Sequence, residues 1–325
     1  MSAPSSIFVE APARLHFGVL DLGGKLGRCF GGLGAAIPSP SLLLEVHPAK
    51  EISGTGPDSD RAVEFARRWL AYQRLDSGAH LIVHRAIPSH SGLGSGTQLG
   101  LAVARALAEL HGIRVDPVEL ARVTGRGKRS GIGTWSFALG GFIVEGGRRP
   151  GSDSVAPLLA RFPIPSEWRC VVAVPDGGRG LSGDAEARAF EQLPTPPDRE
   201  VERVAHLVLM QLLPALVEAD LPSFGQALSL VQRITGAWFA AEQGGVFAPG
   251  PTEQLVAEMA ALGAAGVGQS SWGPAAYGLV GSKDQSTAMA RQLGSLLGTS
   301  GRVYEGGFAA AGARVWAGPQ NPQSD

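Results

Sequence analysis

Apolar residues recur along this chain with two different periods, and their alternation divides it into strands and helices before any chemistry is considered. From Leu99 the apolar positions Leu101, Ala102, Val103, Ala106, Leu107 and Leu110 keep a helical period that stops at Gly112. The stretch from His80 to Pro88 ahead of them reads as a strand, so this region predicts strand, loop and helix in that order. Ile7 to Ala11 reads as a short strand ended by a turn at Pro12, and residues 33–46 read as two strands joined by a Pro-Ser turn. Residues 58–75 place Val63, Ala66, Trp69 and Leu70 at helical spacing behind a cap at Ser59 or Asp60. A second short helix is capped by Asp116 with Pro117 in its first position, and residues 142–146 read as a strand. A Pro-, Gly- and Ser-rich shift over residues 148–159 marks a boundary. Beyond it come a buried strand near 168–175, a largely helical stretch from Asp184 to Gln243, a strand at 277–281, a helix at 284–298 and a strand at 302–307. The tail from residue 317 predicts frayed chain.

Composition narrows the function. The 325 residues are 44% apolar, ample for a packed core. The formal charge is −1 and no Lys/Arg run exceeds two residues, so nothing favours bulk attraction to nucleic acid or an anionic membrane. An anionic ligand must therefore be held locally. Cys29 and Cys170 have no metal-like spacing and argue for free thiols in a reducing compartment. No stretch approaches the ~18 apolar residues of a membrane span and no leader pattern opens the chain, so a cytoplasmic protein is expected.

The candidate chemistry sits in glycine-rich loops. Six of the seven residues Ser91, Gly92, Leu93, Gly94, Ser95, Gly96 and Thr97 are Gly, Ser or Thr, and Gln98 then opens the helix. Free N–H groups and the positive end of the helix macrodipole face such a loop, which suits a pyrophosphate or triphosphate. No Lys-Ser/Thr pair follows, so the loop is not of the Walker type. Residues 125–147 place Arg126, Lys128, Arg129 and Ser130 between glycines, with no Asp or Glu from Leu120 to Val144. A cationic loop without carboxylates suits an anionic substrate. Arg14, His16 and Asp21 interrupt an apolar run and are candidates to face the anion loop, with Arg28 as a second cation beside close-packed glycines. Asp176 and Arg179 end the strand near 168–175 and are weaker candidates. Gln269, Ser270, Ser271 and Trp272 are displayed between glycines at a turn, and Trp238, Phe239 and Phe247 are candidates for an aromatic wall.

Taken together these segments resemble the GHMP kinase superfamily. PSHSGLGSGTQL stands where that family has its phosphate loop, APARLHFG where it has Ala-Pro-Gly-Arg, and GVGQSSWGPAAYGLV resembles its C-terminal glycine-rich motif. More narrowly, RLHFGVLDL with RCFGGLGAAI, the loop ending in GTQ, GRGKRSGIG with GGFIVEGG, and GQSSWGPAAYGL are similar to the β-ribofuranosylaminobenzene 5′-phosphate synthases. The resemblance implies a two-layer α/β (α+β) fold. Residues 1–155 would form a βαβ-containing domain carrying the anion loop, and residues 156–325 a ferredoxin-like domain.

It further implies a decarboxylating pentosyl transferase of tetrahydromethanopterin biosynthesis. Such an enzyme joins 4-aminobenzoate or 4-hydroxybenzoate to 5-phosphoribosyl pyrophosphate and releases carbon dioxide and pyrophosphate. On this reading the loop 91–98 takes the pyrophosphate, and Arg126, Arg129, His16 and Asp21 are catalytic candidates. Arg14, Arg28, Lys128, Ser130 and residues 269–272 bind substrate, with Arg126 or Arg129 meeting the aryl carboxylate and Trp272 its ring. Mg²⁺ or another divalent metal would accompany the pyrophosphate, with ligands unassigned, and a homodimer is implied. The charge at Lys128 and Arg129 departs from the family pattern and points to a different acid or a divergent subgroup. An ATP-dependent small-molecule kinase and a non-catalytic metabolite-binding protein remain as alternatives; the kinase is disfavoured because Asp21, Asp176 and Asp184 are the only nearby-looking acids.

Overall fold

A computed structural model describes residues 6–177, 180 and 183–318, apart from the side chains of residues 183–185 and 187. The chain opens on two long antiparallel strands, β1 (Ile7–Asp21) and β2 (Phe30–Ala49). Neither expected proline turn breaks them. Pro12 pairs with Ser41 and Ala13 with Ile37, so residues 38–40 form an outward excursion of β2 opposite the point where Pro12 has no N–H to offer. Tertiary pairing on both sides of the excursion overrides the local turn signal.

A βαβ unit follows. β3 (Ser53–Thr55) runs parallel to β4 (Gly78–Arg85), with α1 (Ser59–Gln73) crossing between them. Asp58 occupies the N-cap position of α1, one residue ahead of the expected cap. α2 (Ser95–Leu110) buries Leu99, Leu101, Val103, Ala106 and Leu107 against the sheet. α3 (Pro117–Val123) starts at Asp116, whose side chain accepts from the Glu119 N–H as the sequence predicts. α4 (Ile132–Leu139) leads into β5 (Phe142–Glu145), which pairs with β2, and β6 (Leu158–Phe162), which pairs with β5.

The second sheet is antiparallel, in the order β10 (Gly301–Gly306), β7 (Arg169–Pro175), β9 (Ala276–Val280), β8 (Gly266–Gln269). Between β7 and β8 the chain builds α5 (Gly183–Gln192), α6 (Asp198–Leu207), a π-helical turn over Val208–Leu212, α7 (Leu213–Val217), α8 (Leu221–Gln243) and α9 (Pro251–Ala261). Pro214 cannot donate to the carbonyl one turn back, which accounts for the local unwinding before α7. After α10 (Lys283–Leu297) and β10, a last strand β11 (Arg314–Ala317) returns to the first sheet and pairs with β1. That strand falls partly where frayed chain is expected, and the residues after 318 lie outside those described. The first sheet thus takes in β6 and β11, both from beyond residue 155. No helix among the described residues is long and apolar enough to cross a membrane.

Candidate active site

β1 carries the first polar residues of the site. Arg14 and His16 share one side of the strand, as period 2 requires, while Leu15 and Phe17 point into the core. The Arg14 Nη1 donates to the Gly92 carbonyl, and its backbone N–H donates to the Leu93 carbonyl at 3.1 Å. The Ser270 hydroxyl also donates to the Gly92 carbonyl, at 2.7 Å, and accepts from the His16 N–H at 3.0 Å. These contacts hold the Gly92 carbonyl toward the protein.

Gly92 and Gly94 adopt φ of 80° and 81°, conformations that suit glycine alone among these residues. No described residue accepts a hydrogen bond from the N–H groups of Gly92, Leu93, Gly94, Ser95 or Gly96, whereas the Thr97 and Gln98 N–H groups both donate to the Gly94 carbonyl at 3.0 Å. Five main-chain donors at the start of a 16-residue helix make an anion site. Leu93 and Ser91 are buried, and the Ser91 hydroxyl donates to the Pro88 carbonyl. Gln98 is buried too, donating to the Gly133 carbonyl at 3.0 Å and clipping α2 to α4.

Two guanidinium groups crowd this helix start. A Cβ placed on Gly96 would collide with Arg61 Nη2 and stand 3.2 Å from Arg126 Nη2. Arg61 is fixed by Asp58 at 3.3 Å and Ser89 at 3.1 Å, so it points at the loop rather than into water. Arg126 lies over the Phe65 ring at 5.1 Å, and no described carboxylate is within ion-pair distance of it. Burial lowers its pKa, and Arg61 and Arg68 push the same way. Buried Arg14 is likewise pushed down to about 10, chiefly by desolvation. Cations that outnumber the carboxylates held beside them favour an anion.

The cavity beside them measures about 240 Å³ and is lined at one end by Arg14, Thr97, Arg126, Lys128, Arg129 and Ser130. Its other end is aromatic. Trp272 and Phe239 meet edge to face at 4.9 Å, and Phe190 meets both, at 5.5 Å and 5.7 Å, with Phe30 at 5.5 Å on its far side. Phe247 also lines this end, but Trp238 does not: it is buried beneath, donating to Glu200 at 2.8 Å. Gln269 and Ser271 reach the lining; Gln269 spends its amide on the Ser271 carbonyl, on Gln243 and on the Ala248 N–H.

Glu186, from α5, stands at the junction of the two ends. Its carboxylate pairs with Arg129 at 3.2 Å and accepts from the Trp272 side chain. Burial raises its pKa, and Arg129, Arg14, Trp272 and Arg126 oppose the rise. The carboxylate-free run around Arg126 is therefore only a local property of the sequence, because folding returns one acid to the site. A second acid, Glu145, lies directly beneath: it accepts from the Gly131 N–H at 2.6 Å, and burial pushes its pKa up to about 7 against the Gly131 and Ser130 hydrogen bonds. His16 Nδ1 accepts from the Gly18 N–H at 3.4 Å and Nε2 lies 3.2 Å from the Ser130 hydroxyl. Burial pushes His16 down to about 3, so it is a neutral imidazole that orients Ser130.

Other expected residues are elsewhere. The Asp21 carboxylate caps the turn at Gly23 and Gly24, at 2.7 Å and 3.0 Å, and does not line the cavity. Arg28 donates to the Gly146 carbonyl at 2.9 Å and does not line it either. Asp176 is exposed at the end of β7; Arg179 and the Asp184 side chain lie outside the described residues. Among the described residues no three His, Cys, Asp or Glu side chains gather as a metal site. Glu186 is the one carboxylate among the described residues lining the cavity, and it is already engaged by Arg129, so the donor set does not fit a resident divalent ion.

Comparison with known proteins places the chain in a family and a fold. The family model for the GHMP kinases N terminal domain matches residues 60–141, and that for GHMP kinases C terminal matches residues 212–298. The chain is 35% identical over 322 residues to the β-ribofuranosylphenol 5′-phosphate synthase of Methanothermobacter thermautotrophicus, covering 93% of this chain and 96% of that protein. It is also 35% identical over 286 residues to the enzyme of the same name from Archaeoglobus fulgidus, covering 84% and 88%. Among solved structures, L. major mevalonate kinase in complex with R-mevalonate superposes with a TM-score of 0.69 at 19% identity, covering 96% of this chain and 98% of that one. Homoserine kinase from Cytophaga hutchinsonii gives 0.68 at 16% identity, covering 97% and 99%, which establishes the shared fold.

Proposed function

The chain belongs to the family of the β-ribofuranosylphenol 5′-phosphate synthases, within the GHMP kinase fold, and from that membership we propose that it is a decarboxylating pentosyl transferase. Its substrates on this reading are 5-phosphoribosyl pyrophosphate and 4-hydroxybenzoate or 4-aminobenzoate, its products the aryl ribose phosphate, carbon dioxide and pyrophosphate, in tetrahydromethanopterin biosynthesis. The name of these relatives, with phenol as aglycone, favours the hydroxy acid. The observation that carries the reading is the set of main-chain donors at the start of α2 that meet no acceptor among the described residues, together with Arg14, Arg61 and Arg126, which meets no carboxylate at ion-pair distance among them. That arrangement suits a diphosphate, and the adjoining aromatic end suits a flat ring.

In the reaction the bond from the anomeric carbon to the pyrophosphate oxygen breaks, and both electrons leave with the pyrophosphate. The loop amides and guanidinium groups stabilise that departing charge from positions fixed before the reaction. The ring carbon bearing the carboxylate bonds to the anomeric carbon. Its bond to carbon dioxide then breaks and returns the electron pair to the ring, so no proton need be removed. Mg²⁺ enters this reading only as the counter-ion of phosphoribosyl pyrophosphate, with no step routed through it. A homodimer is also part of the proposal.

Incubation with phosphoribosyl pyrophosphate, Mg²⁺ and each carboxyl-labelled acid tests the proposal. Labelled carbon dioxide released with pyrophosphate supports it. ATP consumption with a sugar or alcohol acceptor, or binding without turnover, would replace it by a kinase or a metabolite-binding protein.

A further inference from the structure

The electrostatics of the cavity leave one step of such a reaction unprovided for. Arg14, Arg126, Lys128 and Arg129 favour departure of an anion, but they oppose the positive charge that then develops on the anomeric carbon. That carbon must lie between the departing diphosphate at the cationic end and the ring at the aromatic end. Glu186 touches both ends, through Arg129 at 3.2 Å and through the Trp272 side chain. It is the one carboxylate among the described residues lining the cavity.

Building on the reaction proposed above, we propose that Glu186 is a catalytic residue whose carboxylate stabilises the oxocarbenium charge at the anomeric carbon. The group neither gives nor takes a proton and forms no bond. It faces the cation only while the carbon–oxygen bond is broken and the carbon–carbon bond is not yet made. Arg129 and the Trp272 side chain fix its position in advance, so no reorganisation is required at the moment of reaction. The same two contacts tie the carboxylate to the wall that seats the ring, because Trp272 packs edge to face on both Phe190 and Phe239.

The test is Glu186→Gln, which keeps the shape and an acceptor for Trp272 but removes the charge. In the wild type, turnover of phosphoribosyl pyrophosphate with the labelled acid is measured first; its absence refutes the parent reaction, not the role of Glu186. With an active wild type, the variant is expected to lose kcat on the order of 10²- to 10³-fold, the range for removal of one preorganised electrostatic partner. Its KM for phosphoribosyl pyrophosphate and its binding of inorganic pyrophosphate should be unchanged or tighter, since a competing negative charge has gone. Retained kcat overturns the inference. So does a loss of pyrophosphate binding or of the folded melt in parallel with kcat, which would make Glu186 a structural partner of Arg129. Glu186→Asp, which keeps the charge on a shorter arm, should recover part of the lost rate; no recovery argues against a role for charge.

Discussion

Gly96→Ala separates the stability of this protein from its chemistry. Gly96 lies in the first turn of α2, in ordinary helical backbone, and the atoms its new methyl would meet are the far ends of two flexible side chains, Arg61 and Arg126. Alanine is favoured over glycine in a helix by up to about 1 kcal/mol, so the melting temperature should hold or rise. The methyl nevertheless fills the cradle above the free amides and turns both guanidinium groups aside. Each charge-assisted hydrogen bond is worth roughly 1.5–3 kcal/mol. Loss of one or two therefore predicts about 10- to 100-fold or greater weakening of phosphoribosyl pyrophosphate binding. Thermal melts and calorimetric titration of the variant with phosphoribosyl pyrophosphate read the two quantities separately. Unchanged affinity would refute the assignment of the cradle, and a large drop in melting temperature would show that the glycine serves packing instead.

Gly92→Ala should behave in the opposite way: φ of 80° and a collision with the Ser270 carbonyl predict a loss of at least about 2 kcal/mol, read by chemical denaturation. His16 titrates near 3 when folded against 6.5 when unfolded, so the stability it contributes is complete above pH 6.5 and lost as pH falls toward 3, by at most about 4–5 kcal/mol. His16→Gln should flatten that acid dependence of the melt. Glu145 has the opposite sign: raised from 4.5 to about 7, it contributes fully below pH 4.5 and its contribution declines as pH rises toward 7, a slope that Glu145→Gln should remove. Phe239→Ala opens the aromatic end and should raise KM for the aromatic acid while leaving that for phosphoribosyl pyrophosphate within about twofold, measured by steady-state kinetics.

Local pattern carried the sequence reading as far as local physics decides the outcome. The apolar period of α2, the glycines before it and the Asp116 cap each act over a few residues, and all three appear where expected. Arg14 and His16 were legible because a strand has a fixed period. Asp21, seven residues beyond Arg14, looked equivalent, but the chain is already turning there and its carboxylate is used by Gly23 and Gly24. Glu186 and Arg61 were missed because each lies on an amphipathic helix whose sequence gives no reason to single out one charge; only the packing of α5 and α1 against the loops brings them in. Glu145 had a signal, an acid at the end of the otherwise apolar run FIVE, where burial on both faces requires a partner. β11 is too short to show alternation, though Val315 and Trp316 are strong strand formers.

The central claim, that the helix start and its arginines hold a diphosphate, is tested most directly by titrating inorganic pyrophosphate into the wild type and Arg126→Ala at low salt while following the melting temperature. The account predicts a rise for the wild type that grows with pyrophosphate concentration, and little or none for the variant, whose own melt without ligand stays near that of the wild type. No rise in the wild type, or an equal rise in both, would contradict it.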